Sequence, residues 1–396
     1  MLILFVAVLA VAIGTRRARV PYTVGLVIVG LIIGAIPGHP TIRLTPDLVM
    51  LIFLPALLFA GAWTYPTSLL RRNWLPIALL ATLGVLISII VSWIVLVNFA
   101  GLPPQTALLF GAIVAATDPV AVLSVFRSLK ADEQLSAIVE GESLFNDATA
   151  VVAFKVTLLL SVVSAHATLA TPIVDFVELL AGGAIVGVVA GSMGLLALRL
   201  TDDYIVEALG TLIIAYGSYF IAERLNVSGI IAVIVAGMFL SRLGARFGSF
   251  TTTRQSVNQL WDVVAFIANS MLFLLVGLSI NLGELQSSLA ASGWGIAAIA
   301  LARVIAVYGL SGLSGLLGRR LPVAWQHIFF LGGLRGALSM ALVLSLPASL
   351  AGRDQLIAML FSVVLFTIVA QGLAIAPALR RLRLSKEQAP LGLKPQ

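Results

Sequence analysis

The sequence predicts an all-α polytopic membrane protein of about thirteen transmembrane helices, built as inverted repeats with two interrupted helices, the fifth and the twelfth. Three observations predict it. Of the 396 residues, 60% are hydrophobic and 10% are charged, whereas a soluble domain carries about 25% charge. Apolar runs long enough to cross lipid recur from end to end. Two of these runs are broken near their middles, one by Thr117-Asp118-Pro119 and one by Gly332-Gly333-Leu334-Arg335-Gly336.

Hydropathy and turn signals place the helices at 1–14, 20–36, 47–63, 74–99, 104–125, 136–163 and 173–199, then at 203–223, 229–243, 256–279, 289–317, 324–349 and 354–380. Met1 to Gly14 has no basic n-region and no small-residue cleavage site, so it reads as a first span rather than a signal peptide. No linker is long enough for a soluble domain. Residues 1–380 therefore form a single transmembrane domain and 381–396 a short polar tail. Paired interruptions in corresponding places are the sequence mark of inverted repeats. Helices 1–6 and 8–13 would be the halves, with helix 7 between them.

Charge fixes the orientation. Eighteen of the 24 lysines and arginines fall on the loops and tail of one side, three on the other, and Lys155, Arg303 and Arg335 inside spans. By the positive-inside rule the C-terminus is cytoplasmic and the N-terminus outside, in a plasma (inner) membrane. The net charge of +7 thus belongs to a membrane face, which excludes nucleic acid as the partner. The absence of cysteine excludes disulfides and thiolate metal sites.

The stretch from Ala115 to Val152 carries the chemistry. Pro119 cannot donate the helical hydrogen bond due at its position, and backbone freed inside a membrane is tolerated only where it is buried in protein or lines a cavity. Ser143, Asn146 and Asp147 stand at i, i+3 and i+4, on one face of the next helix. Polar groups beside a broken helix mark an ion pathway. Burial penalises a charged carboxylate, and either a proton or a small hard cation relieves Asp147, but not both together. Competition for one carboxylate couples the two fluxes. Ser143 and Thr117 offer oxygen ligands to the same ion, which suit a hard cation and not a transition metal. Asn146 orients Asp147 or the unwound backbone, or else bonds between helices. Asp118 balances a facing helix N-terminus or caps its own helix.

Arg335 stays charged among its glycines and needs a partner. The expectation is a buried, architectural Glu142–Arg335 ion pair. Arg303 is a second intramembrane cation, expected to balance Asp118 or Asp147. Lys155 is expected to snorkel to the outer interface. Asp262 reads as an access funnel or a solvated helix end. His39, His166 and His327 lie near helix ends. The sequence holds no Gly-rich phosphate loop, two-histidine metal motif or nucleophile triad, so no enzyme, catalytic residue or cofactor is expected.

Ala116-Thr117-Asp118-Pro119, Gly141-Glu142-Ser143-Leu144-Phe145-Asn146-Asp147 and Gly333-Leu334-Arg335-Gly336-Ala337 together resemble the sodium/proton exchanger family, of the NhaP and NHE type. The similarity runs across nearly the whole chain and includes Arg303 and Pro21-Tyr22-Thr23-Val24-Gly25. The resemblance implies thirteen helices, a dimerisation domain, a mobile core and crossed, unwound helices 5 and 12. It implies electroneutral exchange of a monovalent cation (Na⁺ or Li⁺) for protons by an elevator motion in a homodimer. Asp147 would bind ion or proton beside Asn146, with Thr117 and Ser143 as ligands and Glu142 paired to Arg335. One residue departs from the pattern. Ala60, in Leu54-Pro55-Ala56-Leu57-Leu58-Phe59-Ala60-Gly61, stands where many bacterial relatives carry an acid, which leaves selectivity open. The rival readings are a potassium/proton antiporter, a passive cation channel and a non-transporting sensor or scaffold.

Overall fold

The apolar runs form helices throughout. The structure is a computed structural model that describes residues 2–18, 21–36, 44–162, 170–199, 203–246, 254–280 and 288–384. His39, His166 and the tail beyond residue 384 lie outside the described residues. Among those described, every regular element is a helix. In order they are α1 (Leu2–Ala18), α2 (Tyr22–Gly34), a π-helical stretch π1 (Leu48–Phe53) running into α3 (Leu54–Thr64), α4 (Thr67–Ala81) and α5 (Leu83–Phe99). Then come α6 (Pro104–Ile113), α7 (Val120–Leu129), α8 (Glu133–Val162), α9 (Ala170–Leu198), α10 (Tyr204–Arg224), α11 (Gly229–Arg246) and α12 (Arg254–Ser279). The chain closes with α13 (Leu289–Val304), π2 (Ile305–Gly309), α14 (Leu310–Leu316), α15 (Val323–Leu331), α16 (Ala337–Leu344), α17 (Arg353–Phe366), π3 (Thr367–Gln371) and α18 (Gly372–Arg381). Among the described residues, seven helices or fused helix pairs are long and apolar enough to cross a membrane, and six shorter apolar helices accompany them.

Local chemistry sets the boundaries. Pro104 opens α6, where its missing N–H would lack a partner in any case. Lys130 closes α7 in the left-handed region, at φ 50°. Asp132 caps α8 by accepting the N–H groups of Gln134 (2.8 Å) and Leu135 (3.1 Å). The fourth apolar run begins at Thr67, earlier than the expected residue 74. Asn73 leaves helical geometry at φ −116° and ψ 18°, so an amphipathic turn bearing Arg71 and Arg72 precedes the apolar part.

Two neighbourhoods of helices emerge from the packing. In one, α2 and α3 pack on α12 and α11, and α9 and α10 pack on α11. In the other, α4 and α6 pack on α8, α5 on α6 and α13, and α13 on α17. Fewer contacts join the two, chiefly α8 to α9, α2 to α7 and π1 to α16. A cavity of about 290 Å³ lies along this seam, walled by α2, α3 and α12 on one side and by α7, α8 and α16 on the other.

Candidate functional site

Four short helices set up the site. α6 and α7 have 10 residues each, α15 has 9 and α16 has 8, so each rises about 15 Å or less against the roughly 30 Å of a bilayer's hydrocarbon. Between α6 and α7 the chain leaves the helix at 114–119, and between α15 and α16 at 332–336. The two interruptions touch. The Asp118 N–H donates to the Leu334 carbonyl at 2.8 Å, and the Arg335 guanidinium donates to the Ala115 and Ala116 carbonyls at 3.0 and 2.9 Å. The Arg335 N–H is taken by the Thr367 hydroxyl at 3.1 Å.

The polar face of α8 lies against the first interruption. Ser143 donates to the Thr117 carbonyl, and the Asn146 amide donates to the Thr117 hydroxyl at 3.1 Å. Thr117, Ser143 and Asn146 are all buried. Asp147 lies one turn beyond Ser143 and lines the cavity with Thr117, Asp118 and Ser143. Its Oδ1 and the Oδ1 of Asn146 are buried with no hydrogen-bond partner among the described residues. Asp118 accepts the Val120 N–H at 3.0 Å and so caps α7. Its carboxylate also rests on Gly336, where a Cβ would collide with it. Asp118 thus stands beside the N-terminal, partly positive ends of two half-helices, α7 and α16.

Two expected charge partnerships are corrected. Glu142 pairs with Arg303 and not with Arg335: Nη1–Oε1 is 2.6 Å and Nη2–Oε2 is 3.1 Å, with side-chain exposures of 9% and 3%. Arg303 therefore does not balance Asp118 or Asp147, and its Nε and Nη2 also bind the Phe329 carbonyl, at 3.1 and 2.9 Å. Arg335 makes no ion pair among the described residues. The physical reason lies in the interruption. The C-terminal end of α6 presents carbonyls with no helical partner, and their partial negative charge holds a guanidinium in place of a carboxylate. Glu142 is one residue off the Ser143–Asp147 stripe, so it faces α13. Lys155 has an acidic partner near the end of α10. It binds both oxygens of Glu223 at 3.0 Å.

The wall also contains residues that the sequence reading did not place there. Tyr22, Ser124, Arg127, Glu140, Asn269 and Ser339 line the cavity, and Asp262, expected in an access funnel or at a solvated helix end, lines it too. Tyr22, Thr64, Arg127, Glu140 and Asp262 belong to the ends of α2, α3, α7, α8 and α12 that meet the arginine-rich loops, so the cavity runs from that side to the interruptions. Glu140 had a signal, since it lies seven residues before Asp147 on the same helical face. Asp262 is exposed in the cavity wall. Ala60, at the position of the missing acid, lines it too. His327 is engaged by the Tyr308 hydroxyl at 2.6 Å, away from the cavity.

Known proteins resemble this chain along nearly its whole length. Residues 2–381 match the profile described as "Sodium/hydrogen exchanger, transmembrane". The Na⁺/H⁺ antiporter ApNhaP of Aphanothece halophytica is 39% identical over 97% of this chain and 75% of its own length. The Na⁺/H⁺ antiporter NhaH of Halobacillus aidingensis is 36% identical over 97% of both. In fold, the chain is similar to the sodium proton antiporter MjNhaP1 from Methanocaldococcus jannaschii, with a TM-score of 0.75 and 24% identity over 96% of this chain and 97% of that one.

Proposed function

Because the chain belongs to the sodium/hydrogen exchanger transmembrane family, we propose that it is a secondary active antiporter that exchanges Na⁺ (or Li⁺) for H⁺. One observation carries the reading to this chain's own residues: Asp147 keeps a buried carboxylate oxygen unpartnered at the cavity wall, beside both interruptions. A proton or a cation each answers that oxygen, and their competition is the coupling. Thr117 and Ser143 lend oxygens, Asn146 holds Thr117, and Asp118 steadies the half-helix ends. The relatives named above are Na⁺/H⁺ antiporters, which favours sodium over the potassium alternative.

Finer parts of the proposal rest on other grounds. The loop charges favour a cytoplasmic C-terminus, an outside N-terminus and a plasma membrane, with the cavity open to the cytoplasm. Thirteen spans in inverted repeats fit the paired interruptions. The sparse seam between the two helix neighbourhoods suits an elevator motion of one against the other. Electroneutral exchange and a homodimer follow the family resemblance.

The experiment is dissipation of an imposed pH gradient in proteoliposomes on adding Na⁺, Li⁺ or K⁺, with wild type beside Asp147→Asn. A response to Na⁺ or Li⁺ that the variant loses is expected. No response to any cation, in folded protein across a range of pH, would sink the antiporter. A channel would pass cation with no counter-gradient of protons.

A further inference from the structure

We propose that Ser339 contributes a further oxygen to the transported cation, so that both interruptions build the binding site. The inference rests on the exchange reading above and deepens it. Ser339 is the third residue of α16, is 1% exposed, and lines the cavity that Thr117, Ser143 and Asp147 also line. Its Oγ has no hydrogen-bond partner among the described residues.

Buried helical hydroxyls without a partner also occur at Thr23, Ser92, Ser270, Ser292 and Ser311, but none of those lines the cavity. Several other serines and threonines give their proton to a carbonyl three or four residues back. Ser88 donates to Gly84, Thr149 to Phe145, Ser362 to Ala358 and Ser345, which closes α16, to Leu342. For Ser339 those positions are Gly336 and Arg335, and there the chain is not yet helical. Neither carbonyl takes the Ser339 proton, and that of Gly336 accepts the Met340 N–H at 3.4 Å. A buried hydroxyl left in that state calls for a partner from outside the helix. A hard cation is a fitting one, because it takes neutral oxygens together with a carboxylate. The partly positive end of α16 would repel a cation, but the Asp118 carboxylate against Gly336 offsets it. Ser143 uses its proton on the Thr117 carbonyl, whereas Ser339 has both its proton and its lone pairs uncommitted.

The test is the concentration dependence of exchange for Na⁺ and Li⁺ in proteoliposomes carrying wild type, S339A, S339C and S345A. S339A should raise the KM for Na⁺ by about fivefold or more, the size of one lost polar contact, while kcat stays within about twofold. The ratio of Li⁺ to Na⁺ KM should move as well. S339C keeps the volume but swaps a hard oxygen for a soft sulfur, so it should behave like S339A. It also keeps the question open to test should S339A fail to fold. S345A, just past the end of α16, should leave both KM values unchanged. A wild-type KM and ion ratio in S339A or S339C, or a fall in kcat alone, overturns the inference while wild-type exchange stands. Absence of exchange in the wild type takes the parent reading and this inference down together.

Discussion

The two interruptions solve the same problem with different means. Each stops a helix inside the protein, and each leaves carbonyls at the end of the first half without helical donors. At the end of α6 the donor is Arg335, on the carbonyls of Ala115 and Ala116. At the end of α15 it is Arg303, on the carbonyl of Phe329. Arg303 is also locked to Glu142, whereas the Arg335 guanidinium bonds, among the described residues, to backbone oxygens alone and lies in the interruption that faces Asp118 and Asp147. The second interruption is braced from outside by a neutralised ion pair. The first is braced by a charge that keeps its field. The difference suits a site whose carboxylates, Asp118 and Asp147, must stay uncommitted to any permanent counter-ion if a proton and a cation are to compete for them.

The asymmetry predicts unequal damage. Breaking the braced side should be worst. Arg303→Ala or Glu142→Gln leaves one buried charge without its partner, and a loss of about 3–5 kcal/mol is expected. Thermal melting in detergent measures it, and the double variant Arg303→Met/Glu142→Gln should recover part of the loss. Single variants as stable as wild type would erase the distinction between the two sides. Arg335→Met comes next. It forfeits charge-assisted bonds to two carbonyls, with an expected loss of about 1.5–3 kcal/mol. Exchange should fall further than stability does, because the end of α6 also carries Thr117. If Arg335→Met loses stability and leaves the Na⁺ dependence of exchange alone, Arg335 is only a brace.

Gly336→Ala sharpens the same contrast on a smaller scale. A Cβ there would enter the Asp118 carboxylate, and at Gly333 it would come within 2.8 Å of Arg303 Nε. Overpacking of this kind costs about 1–3 kcal/mol. The alanine at 336 should displace Asp118 from the start of α16 and depress exchange, and the alanine at 333 should chiefly lower the melting temperature. Equal effects of the two on transport would mean that Asp118 does not need its seat on Gly336.

Most of the fold was legible because lipid imposes a coarse code. Apolar length gave the helices, and Pro119 and the glycines at 332, 333 and 336 gave the breaks. The face shared by Ser143, Asn146 and Asp147 followed from helical period alone. Partner choice was not legible. The sequence offers Glu142 two intramembrane arginines, Arg303 and Arg335, and only three-dimensional packing puts α13 beside α8. Nor does a buried arginine need a carboxylate, since helix-end carbonyls answer Arg335. Ser339 escaped because a lone serine in an apolar run is ordinary. Its distinction is its place: among the described residues it is the buried, unpartnered hydroxyl on the cavity wall, which becomes evident only once α16 is packed beside α7 and α8.

The smallest effect should come from the other ion pair of α8. Lys155 meets Glu223 at 3.0 Å, thirteen residues beyond Glu142, with side-chain exposures of 35% and 34%. Glu223 also accepts the N–H of Gly229 at 3.1 Å, so it closes α10 onto α11 whether or not the lysine is present. A pair this open to solvent contributes about 0.2–1 kcal/mol, and salt screens it, with a Debye length of about 3 Å at 1 M. Lys155→Ala should therefore lower the melting temperature slightly at low ionic strength and not at all in about 1 M salt. The location gives the weakness a meaning. Glu142–Arg303 joins elements of one helix neighbourhood, where α8 and α13 must hold together. Lys155–Glu223 crosses to the other, where α10 belongs. If the two neighbourhoods slide past each other during exchange, a strong buried pair across the seam would hold one position, and a weak exposed one lets go. A loss of about 3 kcal/mol or more in Lys155→Ala, insensitive to salt, would put a strong tie across that seam and count against the sliding motion.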